Sequence, residues 1–444
     1  MTARILLLAL ILPAVAKAQP GRSWHDARVV ESAEGLSMEG PFTLCVLHAS
    51  ELAELDEAAA FRQRAARRAS TAKASATFEV TYDGFTDEAR TAFQAAVDIW
   101  STHVTSEIPI RINAVYADLG PTILGSAGAN RIHAGGGLPI ARVWYGDALA
   151  DALRNRDSNP GQPDINAQFS SGFPAFYYGT DGNPGPDEVD FMTVVLHEIG
   201  HGLGFFGSAS VTGSTGMWGV GSQGYPVVFD RGAEDGGGVA VTNTSVFPNP
   251  SVALGDVLQG GSLFFDDAGV RSQNGALPAP LYAPAVWDDG SSFSHWDETT
   301  FVGDANALMT PFIARGEAYD SPGALTCALL EDIGWTLGDG CRRAVSSEPA
   351  ALASGAAPEL ELAGPNPFAS STTLRLRLAE PQPVRATLHD ALGRTVAVLH
   401  DGPVAAGALS LRIEGELAPG VYVVRAETET GSAQARIVRA GSGR

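Results

Sequence analysis

Val194-Val195-Leu196-His197-Glu198-Ile199-Gly200-His201-Gly202-Leu203-Gly204 is the stretch on which the fold and chemistry of this chain turn. Apart from two histidines and one glutamate, its side chains are apolar. That pattern predicts a buried helix. Positions four apart lie on one helix face, so His197 and His201 can share a metal. Glu198 projects beside that face, close enough to act on a water there without being a ligand. Two surface histidines that happen to flank a glutamate is the competing reading, and an apolar helix does not suit it.

The pattern is HExxH, the chemistry of a zinc peptidase. Two histidines leave such a site incomplete, because catalytic zinc takes three protein ligands and keeps one position open. In the pattern HExxHxxGxxH the third ligand follows the glycine by three residues. Gly204 is present here, but the later position is Gly207, which has no side chain to offer. The third ligand therefore lies further on. Asp230, Glu234 and Asp235 are the first acidic candidates. His295 is the only histidine of the central region after the helix.

Outward from this stretch the chain divides. It has 444 residues, 45% hydrophobic and 18% charged, with Gly 51 and Pro 27. A packed core with many turns follows, and wholesale disorder is excluded. The net charge of −21 argues against nucleic-acid binding. Residues 76–340 carry 32 acidic against 9 basic side chains, whereas the part from Leu360 on is near neutral. Residues 1–18 read as a secretory signal: Arg4, the apolar run Ile5 to Leu12, then Ala16-Lys17-Ala18 before a cleavage point near Gln19. Residues 19–75 read as a pro-region with an Ala-rich helical stretch. No other segment is long and apolar enough to span a bilayer. In an oxidising exterior, three cysteines allow one disulfide. Cys327 and Cys341 are close in sequence and form the natural pair, leaving Cys45.

Residues 76–341 read as a mixed α/β domain with a twisted sheet. Phe78, Val80 and Tyr82 alternate as a strand. Thr86 caps a helix with its stripe at Ala89, Phe93, Val97, Trp100 and Val104. Ile108–Val115, Ile140–Tyr145 and Asp164–Phe169 are strand candidates. Residues 202–294 form a loop-rich insertion. Ser321 and Pro322 open a last helix. Residues 342–359 read as a linker, and 360–444 as an all-β sandwich of short alternating strands.

Two landmarks follow the insertion: Ser294-His295-Trp296 and Leu308-Met309-Thr310-Pro311, then a helix ending Asp332-Ile333-Gly334-Trp335. With HExxHxxG they resemble the leishmanolysin-like metzincins, over about Phe78 to Trp335. The resemblance implies a metzincin-like catalytic domain and zinc held by His197, His201 and His295. It also implies Glu198 as general base, Met309 as the Met-turn, and Gly204 as the turn after the helix. The implied activity is a secreted metalloendopeptidase that hydrolyses protein or peptide substrates with a zinc-activated water. The alternative is a non-catalytic surface binding or adhesion protein on a degenerate peptidase fold, for which an intact Glu198 would be superfluous. A gluzincin with Glu234 as third ligand is a further rival. Cys45, flanked by Phe42-Thr43-Leu44 and Val46, is a candidate latency ligand to the zinc, with a simple buried cysteine as the other reading.

Pro365-Asn366-Pro367-Phe368, Asp390-Ala391-Leu392-Gly393-Arg394 and Leu417-Ala418-Pro419-Gly420-Val421-Tyr422 resemble the type A C-terminal sorting domain of the type IX secretion system. This implies export through an outer membrane by that machinery, then release or surface anchoring. A generic sandwich for adhesion is the other reading. Calcium is a candidate at Asp181, Asn183, Asp187, Glu188 and Asp190, where a solvated loop is the competing reading. Ala175–Gly179, with Tyr177 and Tyr178, is a candidate sheet edge for pairing with extended peptide. His103 reads as a packing residue, and His133 has no partner motif.

Overall fold

The computed structural model describes residues 29–32, 35–39, 47–48, 75–120, 122–346 and most of 358–439. The signal segment, Cys45, the Ala-rich stretch, Pro365 to Pro367 and most of the expected linker lie outside the described residues. In chain order the elements are β1 (Val29–Ser32), β2 (Gly35–Glu39), β3 (Leu47–His48), β4 (Phe78–Asp83), α1 (Asp87–His103), β5 (Val104–Thr105) and β6 (Ile110–Ala117). Then come β7 (Ile123–Ala129), β8 (Arg131–Ala134), β9 (Tyr145–Gly146), α2 (Asp147–Arg154), β10 (Ile165–Ser170), β11 (Phe176–Tyr177), β12 (Val189–Asp190) and α3 (Phe191–Gly202).

The protein is mixed α/β with several small sheets and a strand-rich C-terminal region. Its largest sheet is five-stranded in the order β3-β7-β10-β6-β4. β4, β6 and β10 run parallel, whereas β7 is antiparallel to β10 and β3 antiparallel to β7. The segment expected to be a pro-region thus supplies strands. β3 lies on the edge of β7, and β2 pairs with β8.

α1 starts where the sequence places it. Thr86 accepts a hydrogen bond from the Ala89 amide, and Asp87 and Glu88 occupy the positive end of the helix. Its stripe buries Phe93, Val97 and Trp100. α3 packs against α1 and against β7 and β10 of the sheet and is buried at every position. Phe93, Phe169 and Phe191 join α1, β10 and α3 edge to face, with ring centroids 5.6 and 5.5 Å apart. The Trp100 indole N–H donates to the Leu196 carbonyl at 2.9 Å, fixing α1 against α3.

Three expectations change. Ile140–Tyr145 is not a strand except at Tyr145, because Arg142 takes a positive φ in a turn that follows Pro139. The insertion contains helices at Val252–Leu258 and Ala268–Gln273, which are too short to show a period in the sequence. The start of the expected linker is helical instead, since Asp339–Ser346 forms a helix tied down by Cys341. A disulfide joins Cys327 to Cys341 and links this helix to Gly323–Ile333.

From Glu359 on, two antiparallel sheets of three and four strands share a separate buried core that includes Phe368, Leu374, Leu376, Val384 and Val424. No described helix is long and apolar enough to cross a membrane.

Candidate metal centre

α3 is set by Asp190, whose carboxylate accepts from the Thr193 amide at 2.9 Å and from its hydroxyl at 2.6 Å. This N-cap fixes where the helix begins and hence which face carries His197 and His201. Their Nε2 atoms lie 3.0 Å apart. His295 arrives from beyond the insertion, with its Nε2 3.2 Å from each of the other two. All three rings are buried.

Each Nδ1 faces a backbone carbonyl: Leu308 at 2.7 Å from His197, Phe205 at 2.6 Å from His201, and Ser291 at 2.7 Å from His295. A carbonyl can only accept, so Nδ1 carries the proton and Nε2 presents a lone pair. Burial holds His197 down to about 4, and His201 and His295 well below the usual histidine range. The rings are therefore neutral. Three lone pairs converge on one point, an arrangement that a cation satisfies and a dry core does not. A tetrahedral zinc with bonds of about 2.0–2.1 Å would set its ligand nitrogens about 3.3–3.4 Å apart, close to what is seen. The donor set fits zinc, and imidazole also suits copper, iron or nickel.

Glu198 is fully buried, and burial pushes its carboxyl well above the usual range. Neither carboxylate oxygen has a hydrogen-bond partner at ordinary distance among the described residues. The Ala127 backbone on β7 offsets the burial only in part.

Met309 is buried beneath α3. A methyl group on Gly200 would come within 2.8 Å of its sulfur. The Trp296 amide donates to the Met309 carbonyl at 2.9 Å, so the residue after His295 is stitched to the residue after Leu308. Leu308 in turn holds His197. Thr193, Val194, Leu308, Phe312, Ile313 and Tyr319 line a small recess beside His197. Gly204 takes φ +119°, which lets the chain turn back after α3 and bring the Phe205 carbonyl to His201.

The other candidates for the third position are engaged elsewhere. A side-chain carbon at Gly207 would run into the Phe293 ring. Asp230 accepts from the Ser208 and Val227 amides at 2.7 and 2.9 Å, Asp235 closes a turn on Val239, and Glu234 sits against Asp266. The proposed calcium loop does not gather. Asp181 accepts from Tyr177, Glu188 from the Gly185 amide, and Asp190 caps α3. Ala175–Gly179 is not on the edge of the main sheet, since β11 pairs with β12 in a two-stranded ribbon. His103 packs inside, its Nδ1 2.6 Å from the Ile99 carbonyl. His133, without a motif in the sequence, meets the Asp147 carboxylate at 2.6 Å. Sequence reasoning missed this pair and the neighbouring Asp151 and Asp164. The four-residue step from Asp147 to Asp151 was the one signal available.

The family described as SPBPB7E8-like matches over residues 145–213, a stretch that includes His197, Glu198 and His201. No curated protein matches the chain. Among solved structures, dimeric latent PorU from Porphyromonas gingivalis is similar at 17% identity and a TM-score of 0.16. That likeness covers 20% of this chain and 10% of PorU.

Proposed function

We propose that the chain is an exported zinc metalloendopeptidase with a metzincin-like catalytic domain similar to the leishmanolysins. The observation that supports this reading most is the convergence of three neutral imidazoles beside a buried glutamate that is not among them. A binding module has no use for such a carboxyl, whereas a hydrolase needs a base there.

In this reading His197, His201 and His295 hold the metal, and the carbonyls of Leu308, Phe205 and Ser291 orient them. Bound there, zinc supplies Lewis acidity, polarising a carbonyl and acidifying water. Glu198 takes the proton from the attacking water and delivers it to the leaving amine. Its burial suits this role, because a desolvated carboxylate binds a proton more tightly. Met309 supports the site by packing and takes no part in proton transfer. The strand-rich C-terminal region is read as a type IX sorting domain. With the signal segment it would place the mature protein outside the cell or on its surface. Cys45, carried by the segment before the catalytic domain, remains a candidate latency ligand in the precursor.

The test is purified full-length protein assayed for bound metal and for casein cleavage with and without a chelator. Glu198→Gln should keep the metal and lose about 10²–10⁴-fold in rate. His295→Ala should lose the metal as well as the activity. Cleavage that resists chelation, or a Gln variant as fast as the parent, would overturn the mechanism.

A further inference from the structure

A second cluster lies apart from the histidines. Asp147 opens α2, Asp151 follows one turn later, and Asp164 stands immediately before β10. The three are 0, 3 and 4% exposed. One oxygen from each lies within 4.8 Å of the others, a span that one ion with bonds of about 2.3–2.6 Å can bridge.

Buried carboxylates need partners, and here the accounting is incomplete. Asp147 Oδ1 accepts from His133 at 2.6 Å and from the Asn159 side-chain Nδ2 at 3.3 Å. Asp151 accepts from the Ser158 amide at 3.0 and 3.1 Å, and Asp164 from the Arg111 amide at 2.6 Å. Asp147 Oδ2 is wholly enclosed and has no hydrogen-bond partner among the described residues. An oxygen left so inside a protein is costly, and more so if it is charged. The neighbours make this worse. Burial, then repulsion from Asp147, Asp151 and Asp157, pushes Asp164 up to about 8.

We propose that Asp147, Asp151 and Asp164 bind a calcium ion, with Asp147 Oδ2 as its most deeply enclosed ligand. The donors are all hard oxygens, which suit calcium and not the metal of the imidazole site. The flexible coordination of calcium tolerates carboxylates that also accept backbone hydrogen bonds, where magnesium demands a near-ideal octahedron. Such an ion would clamp the start of α2 to the start of β10. Both elements brace the chain leaving α3. Ile165 fills the space beside Gly202, and Leu149 stands next to Gly204. The proposal does not depend on peptidase activity.

The experiment uses the full chain stripped with a calcium-selective chelator. Calcium is titrated by calorimetry, terbium by luminescence, and thermal unfolding is followed with calcium or magnesium. Calcium at a hundredfold over its dissociation constant should raise the melting temperature by about 5–10 °C. Magnesium should do less. Asp147→Asn and Asp164→Asn, tested separately, remove charge while keeping shape. Without calcium each should melt close to the parent temperature, and each should lose the calcium response and terbium binding. A parent that binds neither ion overturns the proposal, and so do variants that respond to calcium as the parent does. If one variant does not fold, the other and the parent titration still decide.

Discussion

Replacing Gly204 by Ala tests whether the turn after α3 supports the histidine cluster. Two costs follow from the structure. At φ +119° an L side chain is strained, by about 1–2 kcal/mol. A side-chain carbon there would also stand 2.9 Å from Ile333 Cδ1, inside van der Waals contact. Overpacking of that kind costs about 1–3 kcal/mol. Loss of glycine's freedom in the unfolded chain returns about 0.4–1 kcal/mol, leaving a net loss of about 1–5 kcal/mol. Gly161 gives the control, with φ +79° and no atom within 4 Å of the added carbon. Gly161→Ala should show the strain without the collision. Trimming the obstacle with Ile333→Val should recover about 1 kcal/mol of the Gly204→Ala loss. Denaturant unfolding of the parent, the three single variants and the Gly204→Ala, Ile333→Val double variant measures these differences, the recovery being taken relative to Ile333→Val alone. Chelator competition should show Gly204→Ala weakening metal binding by about 10–100-fold, because the Phe205 carbonyl that orients His201 moves with the turn. If Gly204→Ala costs no more than Gly161→Ala, and the Ile333→Val background changes nothing, the packing argument is wrong.

Two further outcomes are expected. Removing the disulfide with Cys327→Ser and Cys341→Ser together should lower stability by roughly 3 kcal/mol for a loop of 14 residues, read as a lower denaturant midpoint. An unchanged midpoint would show that the two helices hold together without it. Burial raises Asp190 to about 7, Asp230 to about 6 and Glu298 to about 7. These carboxyls bind protons more tightly folded than unfolded, so their contribution is full below about pH 4 and is lost as pH rises through 6–7. Asp190→Asn, whose amide does not titrate but can still cap, should therefore gain melting temperature relative to the parent between pH 5 and 8. A difference that stays flat over that range would sink the assignment.

His197, Glu198 and His201 were legible because a helix turns local spacing into a shared face. His295 was legible only as a candidate, since nothing local ties it to a helix so far back in the chain. The landmarks around Trp296 and Met309 supplied the link, and the structure gives its physical form in the hydrogen bond between their backbones. The strands at Phe78 and Asp164 showed as alternation. The Ile140 run looked the same but is interrupted by a positive φ at Arg142, which composition does not announce. Asp147, Asp151 and Asp164 were invisible as a group because two sit on a helix and one at the foot of a strand. Acidic residues on an acidic chain read as solvated surface, and burial is a property of the tertiary fold.

Two of the carbonyls that grip the histidines are local, four residues from His201 and from His295, but the third and the His295 ring itself come from far along the chain. Leu308 stands 111 residues from His197, and His295 stands 94 residues from His201. No peptide cut around the helix can therefore reproduce the cluster, because an isolated helix brings two rings and only one of their anchors. Contacts this distant carry the closure entropy of the whole intervening loop and form late. During refolding, any metal that the cluster takes up should consequently arrive after helix formation, together with the final locking of the insertion, and so report completion of the fold.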